Sequence, residues 1–527
     1  SQLVFQHDAR SDESYFMPSS IGSGAAIFDY DGDGLLDVYL LQNGGPDSGK
    51  TNQLFRRTPS GTYENVSDGS GLDVAGFGMG VATGDVTNDG KPDVVVTEYG
   101  RTRLLVNRST DAAPKFEDVS VAAGIDSPQW GTSTCLLDYD RDGWLDIFVV
   151  NYVNYDSARR CTDSANRQEF CGPDAFQGTP SRLFHNRGVD SDSGDVRFED
   201  VSAAAGLLKS PGPGLGIFCA DFDGDQWIDI FVANDGQPNF LWINQHDGTF
   251  KEEAALRGLA YNMVGKSEAD MGVAIGDVNQ DGLFDIFVTH LATETHTLWV
   301  QQPRGSFTDR TTRSGLGSAA WRATGFGTVM ADLNNDGSTD LALANGRVTR
   351  HSGELPPVLP GTSDFWKDYC ERDQLFLNDG AGMLTDASPA NDPFCGLASV
   401  SRGLAIADLD DDGGLDLLVT RIDGPAALYQ NVVPKRGHWL TVKAVEPDSG
   451  RDAIGAEVYV RAGEKRWLRW INPGYSFLCS NDARAHFGLG DVERIDGIDV
   501  VWPDGSQESF AGGAVDRVIQ LQRGQGH

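Results

Sequence analysis

One nine-residue pattern, an aspartate-rich loop, returns seven times along the chain and leaves few folds open. It reads DYDGDGLLD from Asp29, DVTNDGKPD from Asp85, DYDRDGWLD from Asp138, DFDGDQWID from Asp221, DVNQDGLFD from Asp277, DLNNDGSTD from Asp332 and DLDDDGGLD from Asp408. Successive starts lie 56, 53, 83, 56, 55 and 76 residues apart, so a unit of about 55 residues carries two insertions. A Gly-rich apolar run precedes each loop (GSGAAIF, GMGVATG, GLGIFCA, GFGTVMA) and a β-branched run follows it (VYLL, VVVT, IFVV, IFVA, IFVT). Short apolar runs bounded by turn residues read as buried strands. A third signal (NQLFR, RLLVN, RLFHN, NFLWIN, QLFLN, ALYQN) and a fourth (TYENVS, KFEDVS, RFEDVS, TFKEEA) complete the unit. Four strands in each of seven units predict a seven-bladed β-propeller over residues 1–434. The seventh unit stops at ALYQN, one strand short, and the N-terminal LVFQHDA, residues 3–9, is the expected fourth strand that closes the ring.

Carboxylates packed this closely repel one another unless a cation sits among them. Oxygen side chains stand at loop positions 1, 3, 5 and 9: Asp29, Asp31, Asp33 and Asp37; Asp85, Thr87, Asp89 and Asp93; Asp138, Asp140, Asp142 and Asp146; Asp221, Asp223, Asp225 and Asp229; Asp277, Asn279, Asp281 and Asp285; Asp332, Asn334, Asp336 and Asp340; Asp408, Asp410, Asp412 and Asp416. Position 7 adds a backbone carbonyl from Leu35, Lys91, Trp144, Trp227, Leu283, Ser338 or Gly414. Such a shell of hard oxygens suits Ca²⁺, one ion per blade and up to seven in all; Mg²⁺ demands stricter octahedral geometry. The loops begin like an EF-hand, but position 12 is Leu or Val on the next strand in every copy, so the flanking elements are strands. Loop 2, with Thr87 and Pro92, and loop 4, with Gln226 at the turn, are expected to bind most weakly. Seven Ca²⁺ would move the formal charge from −35 to −21.

That acidity repels nucleic acid. No stretch approaches the ~20 apolar residues of a membrane span. The chain opens without a basic, apolar leader, which reads as a mature terminus, and the expected state is a monomer. Of seven cysteines, Cys161 with Cys171 and Cys370 with Cys395 lie in loop-like segments without zinc-type spacing, so two disulfides and a secreted, extracellular or periplasmic location are expected. Cys479 is read either as a free buried thiol or as a partner of Cys135 or Cys219. Asn65 and Asn107 stand in glycosylation sequons.

With the repeats in view, the chain resembles the FG-GAP (VCBS-type) family of calcium-loop propellers, which includes the integrin α-subunit head; GFGMGVATGDVTNDG is a good match. Residues 435–527 carry RDAIGA, HFGLG and WPDG and resemble the ASPIC/UnbV domain. Together the two parts look like the cartilage acidic protein family. Read on its own pattern, the tail is a compact β domain, so the fold class is all-β: an integrin-α-like propeller plus a small C-terminal β domain.

Calcium loops join strands 1 and 2, so the 2-to-3 and 4-to-1 connections emerge on the opposite face. Both insertions, 152–181 and 347–372, are 2-to-3 connections. That face also gathers Asp235, Asn239, Glu268, Asp270, His290 and Glu294, the candidate ligand or acid/base cluster, and His290 with His296 is a weak transition-metal pair. No nucleophile elbow, zincin, Walker or dinucleotide motif is present in the sequence. The sequence therefore leads to a calcium-stabilised binding or adhesion module for an extracellular protein, glycan or small molecule. The alternative is an enzyme, a lyase, cyclase or hydrolase, working at the channel mouth.

Overall fold

Each aspartate loop is the turn of a β-hairpin. In the first, Ala25–Phe28 pairs antiparallel with Asp37–Leu40, placing Phe28 opposite Asp37 at the loop's neck. The computed structural model describes residues 3–9, 14–110, 113–351, 353–434, 436–447 and 449–527. Around the repeat region six antiparallel sheets have four strands each. The seventh has three: Ser401–Ala407, Asp416–Arg421 and Ala427–Tyr429. The first strand of every sheet touches the first strand of the next, and Ser401–Ala407 returns to touch Ala25–Phe28. This is the seven-bladed ring that the repeat predicts.

Ring closure differs in detail from expectation. The segment 3–9 forms no strand ladder: Gln6 makes one antiparallel bridge to Pro425, and the His7 N–H donates to Gly424 O at 3.0 Å. Pro425 has no N–H to extend a ladder, which explains the single bridge. Burial does the rest, since Phe5, 3% exposed, packs against Leu418 and Ala426 of blade 7.

The tail forms two sheets. His438–Val445 lies between Ala485–Gly490 and the parallel Arg517–Gln522, while Lys465–Trp470, Glu457–Ala462, Arg494–Val501 and Gln507–Ala514 form the other. Leu440, Val442, Val458, Phe487, Ile498 and Trp502 make their shared core. Between Trp470 and Ala485 the chain leaves this domain as a finger that enters the propeller channel. The Ser480 N–H donates to Ala25 O and Ser480 O accepts from Ile27, while Leu478 O accepts from Val81. Ser476 exchanges both backbone bonds with Val273, its Oγ accepts from Thr328 N–H, and Asn481 Oδ1 accepts from Ile406 N–H. The Asn472 amide reaches Cys219 O at 3.0 Å. Inner strands of blades 1, 2, 4, 5, 6 and 7 are thus tied to the finger. Phe477, Leu478 and Ser480 are at most 2% exposed, so the channel is filled.

The opposite mouth is roofed. Insertions 152–181 of blade 3 and 347–372 of blade 6 meet there: Tyr369 OH donates to Glu169 at 2.5 Å, Arg350 N–H donates to the same carboxylate at 3.1 Å, and Phe170 stacks on Trp366. Cys161 and Cys171 form the expected disulfide. Cys370 and Cys395 do not. Both are buried free thiols in separate apolar clusters, and the loops that carry them are joined by the strand pair Glu371–Arg372 with Ala398–Ser399. Cys479 is also free and buried, against Gly403, and burial pushes its thiol up to about 12. Cys135 and Cys219 face each other instead, sulfurs 2.7 Å apart.

Candidate metal centres and the opposite face

The ninth-position aspartate holds each loop to its blade. One carboxylate oxygen accepts the third-strand N–H of Arg57, Asn107, Asn186, Asn244, Gln301, Asn378 or Asn431 at 2.7–2.9 Å. The other accepts the N–H of loop position 2 at 3.0–3.3 Å. The first-position aspartate accepts the N–H of position 6 at 2.7–3.1 Å, closing the turn. These bonds need left-handed backbone at positions 4 and 6. In loop 4 Gln226 takes that conformation, φ 73°, where the other loops use glycine.

Metal-type geometry follows. In loops 1, 3, 4 and 7 one oxygen from each aspartate at positions 1, 3 and 5 lies within 4.8 Å of the others, close enough for one cation of the Ca²⁺ bond length to touch all three. Loops 2, 5 and 6 carry Thr87, Asn279 and Asn334 at position 3. The donor set is oxygen-only except in loop 3, where His185 joins it. Burial holds the carboxyls up: Asp37 and Asp340 to about 8, Asp146 and Asp416 to about 7, and Asp138, Asp221, Asp277 and Asp408 to about 6. Neighbouring carboxylates add to the rise, and the charge of a bound cation would oppose it. The residues present therefore fit a divalent ion.

A repeated side chain outside the loops joins the blades. In blades 2 to 7 an amide side chain at the end of the third strand, Asn in five and Gln in the fifth, donates to the position-2 carbonyl of the preceding blade: Asn107 to Tyr30, Asn186 to Val86, Asn244 to Tyr139, Gln301 to Phe222, Asn378 to Val278 and Asn431 to Leu333, at 2.7–2.9 Å. The signal was in the recurring final Asn of RLLVN, RLFHN and QLFLN. Asn107, 0% exposed, is such a staple and is closed to glycosylation, whereas Asn65 is exposed.

The tail sits on the loop face. Trp467 Nε1 donates to Gly337 O at 3.1 Å, Arg304 bridges Asp221 and Glu457, and Arg484 pairs with Asp411. On the far face the six polar candidates do converge. His290 Nδ1 lies 2.8 Å from Asp270 and its Nε2 2.9 Å from Thr297 Oγ1, with Glu268 3.9 Å away. The Asn239 amide donates to Asp270, Tyr152 OH donates to Asp235 at 2.6 Å, and the Ala269 N–H donates to Glu294 at 3.0 Å. Burial lowers the His290 pKa, but Asp270, Glu268 and Glu294 outweigh it and hold the imidazole above its ordinary value. The Thr–His–Asp chain mimics a nucleophile relay, yet Thr297, His290 and Asp270 are 1%, 0% and 3% exposed. The arrangement can tie three loops together; it presents no reacting atom. His290 and His296 share no ligand position, because His296 Nδ1 accepts the His290 backbone N–H, and burial pushes its pKa down to about 3.

Comparison with known proteins agrees with this anatomy. The family described as FG-GAP-like repeat matches residues 29–96, 85–149 and 221–288, and the one described as ASPIC and UnbV matches 446–527. Cartilage acidic protein 1 of Homo sapiens is 26% identical over 533 residues, covering 96% of this chain and 72% of that protein. The Xenopus tropicalis protein of the same name is 26% identical, covering 96% and 74%. Among solved structures, an Agrocybe aegerita lectin described for recognition of non-reducing terminal N-acetylglucosamine is 16% identical with a TM-score of 0.37, covering 78% of this chain and 91% of that one. The chain is thus an FG-GAP-repeat propeller with an ASPIC/UnbV domain, homologous along most of its length to cartilage acidic protein 1.

Proposed function

We propose that the protein is an extracellular calcium-binding propeller that acts as a binding or adhesion module, with Ca²⁺ in the blade loops as structural clamps. The observation that carries this reading is the filled channel. The finger occupies it from the loop side and the two insertions roof the other mouth, so recognition falls to outer surfaces. Exposed apolar residues support it, for Tyr261, Met263 and Val264 stand 41%, 65% and 77% exposed at the tip of the connection from blade 4 to blade 5. The Cys161–Cys171 disulfide suits an oxidising compartment. Among the described residues no helix is long and apolar enough to cross a membrane. Calcium-loaded protein, screened against glycans and extracellular matrix proteins, is expected to show saturable binding that a chelator abolishes. Failure of every ligand, together with turnover of a substrate that Glu268→Gln abolishes in a folded variant, contradicts it.

A further inference from the structure

The residue just before the one whose N–H binds the ninth-position aspartate holds one register position in every blade, yet its chemistry changes: Arg56, Val106, His185, Ile243, Val300, Leu377 and Gln430 in blades 1 to 7. Where this residue is polar it meets the metal loop of its own blade. Arg56 supplies its own charge, 2.7 Å from Asp31 and 2.9 Å from Asp33, and Gln430 donates to Asp410 at 2.6 Å. His185 supplies a nitrogen donor instead.

His185 is 5% exposed, and both ring nitrogens face loop carboxylates. Nδ1 lies 3.2 Å from Asp146 and 3.4 Å from Asp140, and Nε2 lies 3.9 Å from Asp142. Two interlocked ligand sets result, Asp140 with Asp146 and His185, and Asp138 with Asp140 and Asp142; within each, the donor atoms lie within 4.8 Å of one another. A second observation points to a ligand. Asp138 is 6% exposed, and its Oδ1 is buried without a hydrogen-bond partner; among the described residues no other first-position carboxylate of the seven loops has such an orphan. Asp138 is itself a member of that cluster, offering it a carboxylate oxygen.

We propose that loop 3 is a mixed nitrogen–oxygen site that selects a first-row transition cation of the Zn²⁺ class over Ca²⁺. Calcium takes oxygen ligands, so an imidazole in its shell adds nothing for it, whereas imidazole suits Zn²⁺, Ni²⁺ and Fe²⁺ and strengthens their hold. In blades 2, 4, 5 and 6 the same register position is apolar, so those loops gain no nitrogen there and keep the oxygen set that suits Ca²⁺. This site rests on the reading of the loops as cation sites but commits to a different metal.

The full chain, saturated with Ca²⁺, is titrated with Zn²⁺ by calorimetry and with Co²⁺ by visible absorption, whose ligand-field bands report the geometry of the bound ion. One equivalent of Zn²⁺ should bind against excess Ca²⁺ and quench the Co²⁺ band. His185→Leu, the residue that Leu377 already provides in blade 6, should weaken it more than about 100-fold, beyond what loss of an outer-shell partner costs. Circular dichroism and Ca²⁺ uptake at the other loops should stay unchanged. His246→Ala, which removes the imidazole 2.6 Å from Asp225 of loop 4, should leave the equivalent in place. No Zn²⁺ uptake with Ca²⁺ uptake intact, or an equivalent that survives His185→Leu, overturns this proposal alone. Zn²⁺ bound through His185 in a chain that takes up no Ca²⁺ overturns the calcium reading and upholds this one.

Discussion

His290 is raised in pKa, fully enclosed and answered by Asp270 at 2.8 Å, so the pair is best understood through what its loss would leave behind. His290→Ala strands a buried carboxylate and should cost about 3–5 kcal/mol in urea unfolding; a change under about 1 kcal/mol would show that water reaches the site. Asp373 gives a sharper test. It is 1% exposed, accepts the Asn345 N–H at 2.7 Å and the Ser401 hydroxyl at 3.2 Å, and burial raises its pKa to about 7. Unfolded, it titrates near ~3.9. Between those values the folded chain holds the extra proton, so its contribution is full below about pH 4 and lost as pH rises through about 7. Asp373→Asn should remove up to ~1.4 kcal/mol per pH unit of falling stability in that window, read as the difference between the two proteins' unfolding midpoints in excess Ca²⁺. Identical slopes would contradict the assignment. Little of this was legible beforehand. The sequence placed His290, Asp270 and Glu268 on one face, but whether such groups act or merely satisfy one another depends on burial, which a loop's composition does not encode.

At the scale of elements, strands and loops announced themselves because each repeats. Seven copies of one hairpin turn share a spacing that chance does not produce, and the left-handed sixth position is Gly in six of them. The finger had no such signal. NPGYSFLCSND lacks both helical and strand periodicity, and its shape is imposed by strands up to about 450 residues away in the chain. Ser476 and Leu478 hold left-handed backbone, φ 79° and 61°, which costs ~1–2 kcal/mol each outside glycine and persists only because the channel fixes it. The expected Cys370–Cys395 bridge failed for a related reason, since proximity in sequence says nothing of which apolar cluster each thiol joins. Gly24 tests the finger. A Cβ there would fall 1.7 Å from Leu478 O, so Gly24→Ala should push the finger back, cost more than about 3 kcal/mol and free the amides of 474–481 to hydrogen exchange. Unchanged protection of those amides would show that the finger is not seated in the channel.

Over the whole molecule, the finger, the roof and the acidic loops solve one problem, that of holding seven blades in a closed ring while carrying a charge of −35. The amide staples link each blade from the second to the seventh to the blade before it, through Asn in five and Gln301 in the fifth. The tail adds cross-links over the loop face. What remains unbalanced is the repulsion within each loop, and cations are the direct remedy. The decisive measurement is metal content paired with thermal unfolding, before and after a chelator, on the full chain. The account predicts several equivalents of Ca²⁺ per chain, up to seven, and a melting temperature lowered by well over 10 °C once they are stripped and restored when they return, as ligand linkage requires at about that order. A well-folded sample that contains no divalent metal and melts identically with and without the chelator would contradict it.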